Sequence, residues 1–120
     1  MIVGTGTDLI EIERVRKACE RPAFLQKVFT ENERREASDN IRKLSGDFAV
    51  KEAVAKALGT GFVKFGPSDI EVQRDPMGKP YVTLYGGALK RAGEIGADNI
   101  QVSISDTMHY ALAFAIAEKL

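Results

Sequence analysis

A period of two governs both ends of this chain. Residues 2–8 place Ile2, Gly4, Gly6 and Asp8 on one side and Val3, Thr5 and Thr7 on the other, which predicts a strand with one face stripped of bulk. Residues 99–105 set Ile100, Val102 and Ile104 against Gln101, Ser103 and Ser105, a second strand. Residues 110–117 set Tyr110, Leu112, Phe114 and Ile116 against alanines; alanine suits a helix, but the strict alternation predicts a strand. Its alanine face calls for a close partner, either a helix of the same chain or a neighbouring subunit. Between these ends, 69–74 and 80–85 alternate around Asp75-Pro76-Met77-Gly78-Lys79 and predict a hairpin.

The period changes to 3.6 in the middle. From Phe48 to Ala57, Val50, Val54 and Ala57 fall on one helical face, with Glu52, Lys56 and Gly59 opposite. Gly59 suits a left-handed C-terminal cap, and Gly61 frees the next turn. Ala88, Leu89, Ala92 and Ile95 form a second helical stripe that ends at Gly96. Thr30-Glu31-Asn32-Glu33 is a capping box opening a short helix, Pro22 opens another short piece, and 9–20 is a short charged segment. Residues 37–46 are polar enough for a loop or a frayed lead-in to the central helix. The fold class predicted is α+β, an antiparallel sheet with helices inserted between its strands.

Composition narrows the chemistry. A length of 120 residues suits one domain over 1–120. Lys plus Arg and Asp plus Glu both number 17, so net charge is zero and gives no basis for nucleic-acid binding. The single cysteine, Cys19, excludes an internal disulfide or a cysteine-based zinc cluster. With no apolar run of spanning length and no leader-like N-terminus, a soluble cytoplasmic protein with no membrane association is expected. His109 is the only histidine, so no multi-histidine metal site exists, and no serine or cysteine nucleophile motif is present.

What remains is an acidic pair, Asp8 and Glu52, with Lys56 and the glycines after it. Two oxygen ligands plus substrate oxygens suit Mg²⁺, and a lysine one turn away suits a phosphate held by the same metal. Each residue also has a plain structural reading. Asp8 fits a helix N-cap, and Glu52 with Lys56 fits an i, i+4 surface pair.

Gly4-Thr5-Gly6-Thr7-Asp8, Ile12-Glu13-Arg14-Val15, Phe29-Thr30-Glu31-Asn32-Glu33, Phe48-Ala49-Val50-Lys51-Glu52-Ala53, Lys56-Ala57-Leu58-Gly59-Thr60-Gly61, Gly78-Lys79-Pro80 and Val102-Ser103-Ile104-Ser105 resemble the holo-(acyl-carrier-protein) synthases, small members of the 4′-phosphopantetheinyl transferase superfamily. The resemblance implies an enzyme that moves 4′-phosphopantetheine from coenzyme A to a serine of apo acyl carrier protein and releases adenosine 3′,5′-bisphosphate. It implies Mg²⁺ on Asp8 and Glu52, with Lys56 neutralising the phosphate under attack and Glu52 or a metal-bound water taking the serine proton. Gly59 and Gly61 would approach the cofactor phosphates, Pro80 would lie near the adenine, and Asp106 would occupy a coenzyme A-binding position. Arg14 and Arg21 would receive the acidic carrier protein. A homotrimer with shared sites is implied too, which would give the alanine face a use.

Two positions depart from the family pattern. Asp47 stands where a basic residue usually precedes the aromatic, and Asp106 where histidine usually follows Ser-Ile-Ser. A carboxylate near a phosphate weakens its binding, so lower coenzyme A affinity is expected, with His109 or Lys64 taking part of the role. The alternative is a non-catalytic coenzyme A or carrier-protein binding module.

Overall fold

The computed structural model describes residues 1–120. Its elements run β1 (Ile2–Glu11), α1 (Ile12–Cys19), α2 (Pro22–Val28), α3 (Glu31–Ala37), α4 (Ile41–Ala57), β2 (Ile70–Arg74), β3 (Pro80–Leu84), α5 (Gly86–Ile95), β4 (Asn99–Asp106) and β5 (Tyr110–Glu118). Strands β1, β5 and β4 form one antiparallel sheet with β5 central, and β2 with β3 forms the expected hairpin. The α+β class holds, but the strands make two sheets rather than one. The edge of β2 away from β3 is closed to a further strand. Its Ile70 carbonyl accepts from Lys51 Nζ at 2.6 Å, and its Val72 N–H donates to Glu33 Oε2 at 2.6 Å. Side chains occupy the groups that a further strand would need.

Helix α4 crosses the larger sheet, and small residues let it lie close. Ala111, Ala113, Ala115 and Ala117 of β5 have no exposed surface, and the last three belong to the same buried cluster as Ala49, Ala53 and Ala57 of α4. The alanine face is thus covered by a helix of the same chain, and a subunit contact there is ruled out. Beside it, a side-chain carbon at Gly4 would fall on the Ala57 carbonyl oxygen and one at Gly6 on that of Ala53. Gly6→Ala is therefore expected to cost at least about 3 kcal/mol, because neither backbone can yield without moving the helix. A urea unfolding curve checks this.

Two boundaries differ from the sequence reading by more than a residue. Strand β1 runs past Asp8 to Glu11, and α1 starts there with no side-chain cap, so Asp8 is not a helix cap. Helix α4 begins at Ile41, with the Asn40 side chain accepting from the Lys43 N–H at 3.1 Å. The polar stretch before Phe48 is helical because Leu44 packs with Val28, Phe29 and Ala37 in a second small core. Thr30 and Glu33 form the capping box, and Gly96 closes α5 with φ +72°. The other face of β5 stays open: Tyr110, Leu112 and Phe114 are exposed, alongside Leu9 of β1.

Candidate functional site

Asp8 belongs to the same row as Gly4 and Gly6, so its carboxylate emerges on the side where α4 lies. Lys56 Nζ stands 3.5 Å from Asp8 Oδ1 and donates to the Thr7 carbonyl at 2.8 Å. The lysine thus turns to β1 and does not form the helix-surface pair with Glu52. Glu52 lies one turn earlier on α4, half-buried, with no hydrogen bond or ion pair of its own. Asp8, Glu52 and Lys56 line a cavity of about 580 Å³ together with Arg14. Val15, Phe24, Phe48 and Tyr110 give it an apolar wall.

Both carboxyls are held above their ordinary range. For Asp8 the cause is burial, which the Lys56 charge opposes. For Glu52 burial comes first, the Asp8 charge adds to it, and Lys56 opposes both. Two half-buried acids, one of them raised further by the charge of the other, are a place where a divalent cation relieves an unfavourable field. No group of three or more His, Cys, Asp or Glu side chains is gathered to enclose a metal. This set fits Mg²⁺, which takes one or two carboxylates and completes its shell with water and phosphate oxygens.

The remaining expected site residues are dispersed. Arg14 also faces a shallow neighbouring cavity that contains Arg21, Lys17 and Ala18, so the basic patch adjoins the acidic cleft. Gly59 and Gly61 take φ of +85° and +60° beyond the end of α4. Pro80 begins β3 after the hairpin turn, where Asp75 Oδ1 accepts from the N–H groups of Met77 and Lys79 at 2.9 Å each. Asp106 ends β4, its Oδ1 3.9 Å from Arg42 Nη1. None of these four residues lines the cleft that holds the acids.

Asp47 points inward. It is 1% exposed, and its Oδ1 accepts from Arg74 Nη1 at 2.7 Å. Burial outweighs the guanidinium and pushes its carboxyl up to about 6 from 3.8. A folded value above the unfolded one means the native state holds the extra proton between those limits. Stability is therefore lost as pH rises from about 4 to about 6, by roughly 3 kcal/mol from this group. Asp47→Asn is expected to flatten that part of the stability curve. The difference in urea midpoints between variant and parent at pH 4.5 and pH 7 checks it.

Several contributors went unread in the sequence. Phe48 precedes Glu52 and Lys56 in one i, i+4, i+8 row, a signal that was present. Phe24, Tyr110 and the Thr7 carbonyl had no local signal, since they reach the cleft from other elements.

With this geometry in place, comparison decides the family. A family model described as the 4′-phosphopantetheinyl transferase superfamily matches residues 4–115. The chain belongs to that superfamily. Within it, the chain is an enzyme of the holo-(acyl-carrier-protein) synthase type. It is 52% identical over 118 residues to a holo-[acyl-carrier-protein] synthase of Lachnoclostridium phytofermentans, covering 98% of this chain and 97% of that one. The crystal structure of the synthase from Neisseria meningitidis superposes with a TM-score of 0.89 at 33% identity, over 99% of this chain and 100% of the other. The synthase from Bacillus anthracis in complex with CoA (3′,5′-ADP) gives 0.84 at 35% identity, over 100% and 99%. No helix of the chain is long and apolar enough to cross a membrane.

Proposed function

We propose that this single domain, residues 1–120, transfers 4′-phosphopantetheine from coenzyme A to a serine of apo acyl carrier protein and releases adenosine 3′,5′-bisphosphate. The observation that carries the reading is the convergence of Asp8, Glu52 and Lys56, from a strand and a helix, on one cleft bordered by Arg14. The relatives named above support it, since they are synthases of this type and one was solved with coenzyme A.

The serine oxygen attacks the phosphorus that carries pantetheine, and the bond from that phosphorus to the bridging oxygen of the pyrophosphate breaks. Catalysis of such a step is mostly positioning and neutralisation of charge. Lys56 is fixed by the Thr7 carbonyl and Asp8, so its ammonium is pre-placed to meet a phosphate oxygen. Glu52, which has no partner of its own in the cleft, or a water beside it would accept the serine proton. Asp8 and Glu52 would hold Mg²⁺, whose contribution is to neutralise the pyrophosphate. Arg14 and Arg21 would draw in the acidic carrier protein. The open apolar face of β5, with Tyr110, Leu112 and Phe114, offers the contact surface for the homotrimer that the resemblance implies.

The deciding experiment is the intact mass of an apo acyl carrier protein incubated with this enzyme, coenzyme A and Mg²⁺. Addition of one phosphopantetheine group, prevented by a chelator, is the expected result. No addition, with a known transferase active on the same carrier, would overturn the reading.

A further inference from the structure

Of Asp8 and Glu52, only Asp8 has a cation against it. Lys56 Nζ lies 3.5 Å from Asp8 Oδ1 and donates to the Thr7 carbonyl at 2.8 Å, so both of its contacts are on β1. Glu52, one turn away on the same helix as the lysine, receives neither contact. The carboxylate on the strand is therefore offset by an ammonium, and the one on the helix is not.

The partners of this ion pair differ in their freedom. The Asp8 side chain is 17% exposed and follows the glycine row whose backbone meets that of α4, so its place is set by the seam between helix and sheet. The Lys56 side chain is 54% exposed and ends a flexible stem of four carbons. Its ammonium leaves Asp8 by rotation of that stem alone, and the Thr7 carbonyl is a tether that does not depend on Asp8. Where another cation takes Asp8, the lysine is the partner that yields.

The cleft offers such a cation little by itself. No third acid is gathered with Asp8 and Glu52 to enclose a metal. Mg²⁺ parts from its water reluctantly and binds through one or two carboxylates, with phosphate oxygens completing its shell. An ammonium on one of two carboxylates offsets half of their charge and repels a second cation at close range. A pyrophosphate changes both conditions, since it brings oxygens to the ion and an acceptor to the ammonium.

We propose that Lys56 and the divalent cation compete for Asp8, and that coenzyme A ends the competition by drawing the ammonium onto its pyrophosphate. Metal and co-substrate then load together, and the protein alone holds the ion weakly. This rests on the transferase reading above and adds to it an order of assembly.

The test uses Mn²⁺, whose electron paramagnetic resonance distinguishes free from bound ion. It is titrated into the parent, Lys56→Met and Arg14→Met, each with and without coenzyme A, and the ion's own binding to coenzyme A is measured in a protein-free control. Arg14 lines the same cleft but pairs with neither acid, so its variant reports the effect of charge alone. Methionine keeps most of the lysine stem, and a melting curve verifies each fold. Without coenzyme A, Lys56→Met is expected to bind Mn²⁺ about tenfold or more tightly than the parent, and Arg14→Met to stay within about threefold of it. With coenzyme A the parent gains the larger factor, and the advantage of Lys56→Met disappears. Equal affinities of parent and Lys56→Met without coenzyme A, a comparable gain in Arg14→Met, or an advantage of Lys56→Met that persists with coenzyme A overturns the competition; modification of carrier protein by the parent then leaves the transferase reading standing. A parent that binds no Mn²⁺ in either condition and modifies no carrier protein overturns both.

Discussion

Lys51→Met is expected to destabilise the fold by about 3–5 kcal/mol, a large part of the roughly 5–15 kcal/mol that holds a domain together. Lys51 and Glu33 have no exposed side-chain surface, and Lys51 Nζ lies 2.8 Å from Glu33 Oε1. The ammonium also donates to the carbonyls of Pro67 and Ile70 at 3.0 and 2.6 Å. Burial lowers the Lys51 pKa, and Glu33 offsets that cost. Glu33 in turn accepts from the backbone N–H groups of Thr30 and Val72 at 2.8 and 2.6 Å. Methionine preserves the length of the stem but leaves a buried carboxylate without its cation and two carbonyls without a donor. The melting temperature should fall by on the order of 10–20 °C. Adding Glu33→Gln to the variant should recover part of the loss by removing the stranded charge. A melting temperature within a few degrees of the parent for Lys51→Met alone would show that this network does not hold the hairpin to α4.

For Glu52→Gln the expectation is the opposite division of effects. Transfer should fall by roughly 10³-fold or more, since the change removes both a proton acceptor and a charge facing the cleft. Stability should be unchanged or slightly higher. The sign follows from the raised pKa: folding disfavours the charged form through burial and the neighbouring Asp8, so a neutral amide relieves both. Initial rates of carrier-protein modification, set beside a melting curve, separate the outcomes. Retained activity would remove Glu52 from the chemistry, and a large drop in melting temperature would make it a structural residue.

These two neighbours on α4 also show what the sequence could and could not convey. That Glu52 and Lys56 share one helix side and that Asp8 follows a glycine row was readable from local periods, whereas their joint role came only with the family resemblance. The hairpin, the capping box and the closure of α5 at Gly96 were readable for the same reason, since each depends on neighbours within a few residues. The first half of α4 was not. Ser45, Gly46, Asp47 and, a turn later, Lys51 are all buried, which breaks the amphipathic pattern. The burial of Asp47 and Lys51 makes sense only through Arg74 and Glu33, side chains brought in from β2 and α3. The division into two sheets was hidden likewise. Nothing in the alternation of residues 70–74 reveals that one edge of that strand is satisfied by a lysine and a glutamate.

The glycine and alanine contacts between α4 and the sheet also set a timescale. Asp8 and Glu52 stand on opposite sides of a seam in which backbone meets backbone, and neither is carried by a loop. Their separation can change only if helix and sheet part, which requires opening the main buried cluster. Amide hydrogens of the inner strand β5 and of α4 around Ala53 should accordingly be among the last to exchange with solvent, at a rate set by global unfolding. Substrate would then meet an acid pair whose spacing is set before binding.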